Sequence, residues 1–526
     1  MHNRPNIIVI MTDQQRADLR RACGYELDTM PFLDEWGKGG VDFARAYTPN
    51  PTCMPARVSM FTGRYSQSHR VRTNHNAADA LYTEDLLDVL KKAGYVTALF
   101  GKNHSHRRPE DFDVARLFGH LGDEGETNDT PQEREFADFL KRTDHMEVHH
   151  PSPGGVSVQH PYRSVSDALE FMDGRDGKEP FFAWISFAEP HNPYQVPEPY
   201  FDLFAPESLP PLKGGAEVLA KKGERFVWLR RTWEEILGEN REERILRARS
   251  NYLGMLRLID DQVKRLVEGV RERGLEENTV FLYLSDHGDF AGEYGLIRKG
   301  CDLPDVLCHI PMIWRGPGIR KKGRMAEGYV SIVDILPTLC DMLQLPVPFG
   351  CQGKSILPLL QDDPSGQDGS GVLREYDRAF AESGYGGLYW KETDGLDLLT
   401  EGASSNGKNF DCLNTWTQCG QVRALWKDGY HIQLDMMGNG YLYRTDEDPA
   451  ELHNLWEDPA QERKRSELLC ALVSEMMKQT DVIPVPHYRY RVKVHPKGFW
   501  YADFAAKDPG VRNMKPIGKD HLEEKT

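Results

Sequence analysis

The chain has no run of apolar residues near the roughly 20 that a membrane span requires, and its 39% hydrophobic and 28% charged content is ordinary for a globular protein. No membrane association is expected. Positive charge is in short supply, since 65 Lys and Arg against 81 Asp and Glu leave a net charge of −16. That balance argues against nucleic acid or an anionic membrane as partner, because both demand a basic surface. A small anionic substrate survives the argument if its pocket is locally basic. A disulfide framework is also missing, as the nine cysteines are odd in number and scattered. Cys308 and Cys340 suit small buried hydrophobes. The start shows no secretion signal: the apolar run 6–10 follows Pro5 directly and reaches Asp13 too soon. It reads as a first core strand, and the chain is expected in the cytoplasm. No internal repeat is visible.

What is present is the pattern of an α/β fold. A length of 526 residues allows one large domain and a smaller one. Apolar runs at 6–10, 95–100, 181–187, 280–284 and 311–314 read as buried strands alternating with helices, giving a large mixed but mainly parallel sheet flanked by helices. Helices are expected over 83–93, ending at Gly94, and over 250–273, ending at Gly274. A short one begins just after Cys53 and closes near Gly63. The polar, Gly- and Pro-rich stretch 361–371 reads as a linker. Strands at 420–426, 430–434 and 441–443 with a helix at 461–477 then form a smaller α+β unit. The expected division is a catalytic domain over 1–374 and a C-terminal domain over 375–526. The Pro-, Tyr- and Arg-rich tail beyond Val482 is suited to wrapping the body or a neighbouring subunit of a homo-oligomer.

In open α/β sheets, ligands gather beyond the carboxyl ends of the strands. Asp13-Gln14 follows the first run, Gly101-Lys102-Asn103-His104 the second, Pro190-His191-Asn192-Pro193-Tyr194 the third and Ser285-Asp286-His287-Gly288-Asp289 the fourth. Carboxylates with an amide oxygen suit Ca²⁺ or Mg²⁺, and an added imidazole admits Mn²⁺ or Zn²⁺. Each piece alone has a plainer meaning. Asp13 can be a turn former or helix cap, residues 286–288 a turn, and His191 an exposed loop residue. Lys102 and Lys299 are surface lysines by default, and His69, His75, His149 and His150 carry no further reading. Joint occurrence at successive strand ends favours a site. In the segment around Cys53, Pro55 enters the first turn of a helix and Arg57 shares a face with Cys53. A thiol near a helix N-terminus and a guanidinium should ionise more easily. These residues leave a reactive or metal-binding cysteine and a packed core thiol both open.

Cys53-Met54-Pro55-Ala56-Arg57, followed by Thr62-Gly63, resembles the signature of the type I sulfatases of the alkaline phosphatase superfamily, in which the cysteine is oxidised to formylglycine. The strand-end segments above, Gly295-Leu296-Ile297-Arg298-Lys299-Gly300, Asp334 to Leu339 and Leu442 to Leu455 follow in the family's order. The resemblance implies an alkaline-phosphatase-like fold and hydrolysis of sulfate esters of small carbohydrates or aryl alcohols. It implies Asp13, Gln14, Asp286 and His287 as ligands of a divalent metal together with the modified Cys53, Ca²⁺ foremost and Mg²⁺, Mn²⁺ or Zn²⁺ as alternatives. Arg57, Lys102 and Lys299 would stabilise the transferring group, His191 would protonate the leaving alcohol, and His104 would take a proton from the second hydroxyl of the aldehyde hydrate to expel sulfate. Asn74, Lys102, His191 and Lys299 would contact substrate, and a formylglycine-generating enzyme is the implied partner. Asp13-Gln14 replaces the two aspartates common in the family and is similar to phosphonate monoester hydrolases and choline sulfatases. Asp286-His287 stands where many members have Asp-Asn. The rivals are a phosphonate monoester hydrolase or phosphodiesterase using the same site, and an inactive binding protein. A Ser- or Thr-dependent metallophosphatase is set aside because position 53 is cysteine. His106, Arg107 and Arg108 read either as a carboxylate-binding patch for a uronic acid or as a solvated loop.

Overall fold

A computed structural model describes residues 4–361, apart from 123–124, 144, 174, 176–178, 301, 321 and 326–327, together with 376–384 and 420–480. The expected linker from 362, the domain boundary at 375 and the tail beyond Val482 lie outside the described residues.

In chain order the first strands are β1 (Asn6–Asp13), β2 (Val41–Phe43), β3 (Ala46–Tyr47), β4 (Val96–Gly101), β5 (Val114–Leu117) and β6 (Phe181–Pro190). They continue with β7 (Thr279–Ser285), β8 (Met312–Arg315), β9 (Gly323–Met325) and β10 (Val330–Ser331). Last come β11 (Arg378–Ser383), β12 (Val422–Lys427), β13 (Tyr430–Asp435) and β14 (Gly440–Arg444). Eight of them form one sheet in the order β5-β4-β6-β1-β7-β8-β2-β9, parallel from β5 to β7 and mixed beyond. The expected large, mainly parallel sheet is there.

Strand β1 shows why these runs are central. Side chains alternate across a strand, and here both faces are apolar. Ile8 and Ile10 face the helices Arg241–Glu272 and His160–Asp173, while Ile7, Val9 and Met11 face the helices Cys53–Thr62, Leu86–Lys92 and Ile335–Met342. A strand buried on both sides needs such a continuous run. Strands β2, β5 and β9 went unread because they are short, and Val114–Leu117 is half-exposed and carries Arg116. The long helix starts at Arg241, nine positions before the expected 250, because its first turns are charged and show no apolar stripe. The Leu86–Lys92 helix is capped by Asp85, whose carboxylate accepts from the Asp88 amide at 3.1 Å.

Strands β11 to β14 form an antiparallel sheet with the helix Glu462–Gln479 packed on it. The small sheet shares a core with the body: Ala379, Ala381, Val422 and Trp426 pack with Tyr47, Leu303, Cys308 and Tyr329. Cys308 and Cys340 are buried as expected; burial pushes the Cys340 thiol up to about 12. Among the described residues no helix is long and apolar enough to cross a membrane.

Candidate active site

The carboxyl ends of β4, β6, β1 and β7 lie side by side, and each delivers one of the expected groups. Asp13 ends β1, Asp286 and His287 follow β7, Lys102 follows β4 and His191 follows β6. Close approach of β4 to β6 depends on Gly101, where a Cβ would stand 1.9 Å from the Ser186 carbonyl oxygen at a φ of +110°. Two site residues hold a left-handed backbone, Gln14 at φ 71° and His104 at φ 42°, a conformation that costs energy in non-glycine residues and clusters at functional sites. The turn at Gln14 lets its amide donate to Asp286 Oδ1 at 3.1 Å.

Cys53 opens the helix Cys53–Thr62, every residue of which is buried. The helix stops at Gly63, with φ 63°, where an added Cβ would lie 2.4 Å from Cys351 Sγ. Asn74 Oδ1 accepts from the Met54 amide at 3.0 Å at the helix entry, with its Nδ2 3.9 Å from Cys53 Sγ. His69 is an anchor of this helix rather than a surface residue, its Nε2 3.0 Å from Ser59 Oγ.

The thiol sits at the centre of the expected constellation. Cys53 Sγ is 3.2 Å from His287 Nε2, 3.4 Å from Lys299 Nζ and 3.6 Å from Asp13 Oδ1. Burial and then Asp13 push the thiol up, but Lys102, Lys299 and His287 overcome both and bring it down to about 7. The largest contributions come from two ammoniums and His287, brought in by tertiary contacts; Arg57 is also coupled to the thiol, which is among the groups that raise its guanidinium. Arg57, with no exposed side chain, points its fork away to the carboxylates: Nε donates to Asp286 Oδ2 at 2.9 Å and Nη2 to Asp13 Oδ2 at 3.3 Å. Its Nη1 donates to Ser186 Oγ at 2.7 Å and to the Lys102 carbonyl at 3.1 Å.

Lys102 and Lys299 are buried, against the default for lysine. Lys102 Nζ donates to Asp13 Oδ2, and Lys299 Nζ donates to Gln14 Oε1 at 3.0 Å and lies 3.1 Å from His191 Nε2. Burial alone would raise the Asp13 carboxyl, yet Lys102 foremost, with His191 and Arg57, holds it well below the usual carboxylate range. His287 Nδ1 faces the Gly288 carbonyl at 2.8 Å, so Nδ1 carries a proton and Nε2 is the nitrogen turned to Cys53; burial opposes its charging, but Asp286 and Cys53 raise its imidazole above the usual range. Asp13, Cys53, Asp286 and His287 offer ligand atoms within 4.8 Å of one another in a fully buried cluster that can hold a divalent metal. His104 lies at the same rim with a buried Nδ1 that has no hydrogen-bond partner among the described residues; burial, then Lys102 and Arg57, push its imidazole well down.

The reading of strand ends missed several neighbours. Asp289 accepts from Gln14 Nε2 and, at 2.7 Å, from Tyr194 OH. His120 touches both Lys102 and His191. Asp289 and Tyr194 stand inside the quoted segments and were findable. His120 follows β5, which has no apolar signature to mark it. His106 and Arg107 belong elsewhere: both bond Asp85, Arg107 through Nε at 2.8 Å and Nη2 at 2.7 Å, so they brace the cap of the Leu86–Lys92 helix rather than face a substrate.

The Sulfatase family model matches residues 5–345. An arylsulfatase of Clostridium perfringens is 29% identical over 392 residues, covering 68% of this chain and 79% of that protein. The uncharacterized sulfatase YidJ of Escherichia coli K12 is 26% identical over 534 residues, covering 98% and 94%. The crystal structure of the phosphonate monoester hydrolase of Agrobacterium radiobacter superposes with a TM-score of 0.72 at 22% identity over 90% of this chain and 96% of that one, which establishes the shared fold. The family match runs through every strand whose end lines the site, and the chain belongs to the Sulfatase family.

Proposed function

We propose that the chain hydrolyses sulfate esters of small carbohydrates or aryl alcohols, with a nucleophile built on Cys53. The observation that carries this reading is the position of Cys53 Sγ, within 3.6 Å of a carboxylate, an imidazole and an ammonium in a site withdrawn from solvent. The donor set fits a divalent cation, since two aspartate carboxylates, Nε2 of His287 and the Gln14 amide oxygen are hard or borderline ligands. Ca²⁺ is the ion we assign, and when bound it would supply Lewis-acid polarisation of oxygen. Oxidation of Cys53 by a formylglycine-generating enzyme would put an aldehyde here, whose hydrate would have one hydroxyl to attack sulfur and a second whose deprotonation would break the carbon–oxygen bond to the bound sulfate, expelling it and restoring the aldehyde.

The chain's own groups supply the rest. Lys299, with Lys102, faces the transferring sulfuryl oxygens, and such charges count for more in a buried site than in water. Arg57 holds the carboxylates of Asp13 and Asp286 in register beside the nucleophile whose charge it would stabilise. His191 Nδ1 is 2.6 Å from the Asn192 carbonyl, so the working nitrogen is Nε2, which accepts from Lys299 Nζ at 3.1 Å. Once Lys299 turns to the sulfuryl oxygens and the ring is protonated, Nε2 hands a proton to the leaving alcohol as the S–O bond breaks. His104, kept neutral, takes the proton of the second hydroxyl. Asn74 contacts the substrate at the helix entry. The reading also includes a cytoplasmic location and a homo-oligomer, which fractionation and light scattering test.

Gln14, standing where a second carboxylate is common, favours a phosphonate monoester hydrolase as the second reading. Comparing kcat/KM on an aryl sulfate and an aryl phosphonate monoester separates the two. The expected result is preference for the sulfate, abolished in Cys53→Ala with the melting curve unchanged. Preference for the phosphonate transfers the proposal to the second reading, and full activity in Cys53→Ala sinks both.

A further inference from the structure

His120 stands three residues beyond β5 and was given no part in the chemistry above. Its ring stacks on that of His191 with centroids 3.9 Å apart and planes 23° apart. Its Nε2 lies 2.5 Å from Lys102 Nζ. The ammonium can only donate, so this nitrogen accepts and the ring is neutral; burial, then His191 and Lys102, push its ionisation well down in agreement. One ring therefore meets two groups of the site through two different features, its face and its Nε2.

We propose that His120 is a positioning residue for the proton donor, holding the ring plane of His191 by stacking while it steadies Lys102 through Nε2. Other contacts of His191 act at its two nitrogens: Nδ1 is tied to the Asn192 carbonyl at 2.6 Å and Nε2 lies 3.1 Å from Lys299 Nζ, while His145 meets the ring edge-on at 6.2 Å and 73°. The two stacked rings back onto a cavity of about 10 Å³ that Glu189 and His160 also line, room for one water at most. Bonds at the two ring nitrogens leave the ring able to tilt about the line joining them, and stacking on the face of His120 at 3.9 Å opposes that tilt. Misaiming a donor by about 1 Å can cost roughly a hundredfold in rate, and only reactions that need the proton suffer.

This inference rests on the reading of His191 as the acid that protonates the leaving oxygen. It is tested with a series of aryl sulfates from nitrophenyl to unsubstituted phenyl sulfate, plotting log kcat/KM against leaving-group pKa. His120→Phe keeps the ring face and removes the acceptor, whereas His120→Gln keeps an acceptor and removes the face. The expected result is a steeper slope for H120Q, with roughly a tenfold or greater extra loss on phenyl sulfate. H120F should keep the wild-type slope with a uniform drop for all substrates. His191→Asn is the control and should show the steep slope itself. A steep slope for H191N with a parallel line for H120Q overturns the role of His120 alone. A wild-type slope for H191N overturns the proton-donor reading and this inference with it. If H120Q does not fold, His120→Leu, which also lacks an aromatic face, takes its place against H120F with the same expected slopes and the same overturning result.

Discussion

Removing the guanidinium of Arg57 tests whether the buried carboxylates are built for a cation. Arg57, Asp13 and Asp286 have no exposed side chain, and Arg57 joins the two carboxylates at 3.3 and 2.9 Å. Deleting one partner of a buried ion pair costs about 3–5 kcal/mol because the other charge stays buried. At about 2.1 cal/mol/K per residue, a chain of 526 residues has an unfolding entropy of about 1.1 kcal/mol/K, so the loss appears as roughly 3–5 °C in Tm. In Arg57→Ala, Asp13 keeps Lys102 but Asp286 loses its nearest cation, and the site becomes more negative. Bound Ca²⁺ should then return more stability to the variant than to the wild type. Saturation at a hundred times Kd is worth about 2.7 kcal/mol. Scanning calorimetry of both proteins in EDTA and in excess Ca²⁺ reads this directly. An unchanged Tm in R57A, or a Ca²⁺ increment no larger than that of the wild type, refutes the reasoning.

Three further outcomes are expected. Burial, with Arg163 adding, depresses His160 to about 3 from 6.5, so the unfolded chain binds the proton first as pH falls below 6.5. Stability from this group is intact above 6.5 and lost on the way down to 3, about 2 kcal/mol of it by pH 5. Urea midpoints should therefore fall less between pH 7 and 5 in His160→Gln, and an equal fall contradicts this. Arg107→Ala should cost about 2–3 kcal/mol through its bidentate bond to Asp85 while leaving the ratio of KM values for uronate and neutral sugar sulfates unchanged; a selective rise for the uronate would restore the substrate role. Gly63→Ala should lower stability by roughly 1–3 kcal/mol, from its φ of 63° and the 2.4 Å approach to Cys351 Sγ, and Cys351→Ala in the same chain should recover part of it.

Much of the site was legible because strands buried on both faces write themselves as unbroken apolar runs, and the polar residue ending each run lies on the sheet's carboxyl rim. Asp13, Lys102, His191 and Asp286 were all found that way. The pairing of Arg57 with two carboxylates was not legible. A helix places Cys53 and Arg57 on one side, but whether the guanidinium meets the thiol or a carboxylate is decided by β1 and β7, hundreds of residues away in the case of Asp286. His120 was hidden for a related reason, since β5 is a half-exposed edge strand with no apolar run to end. His69 was equally silent, as one histidine looks alike whether it is solvated or bonded to Ser59.

The central claim is that turnover depends on an aldehyde at position 53. Mass spectrometry of the tryptic peptide 46–57, taken from preparations assayed for aryl sulfate hydrolysis, tests it most directly. The account predicts that activity rises in proportion to the fraction carrying formylglycine and vanishes in protein made without the maturing enzyme. Full turnover from protein whose Cys53 is wholly unmodified would contradict it.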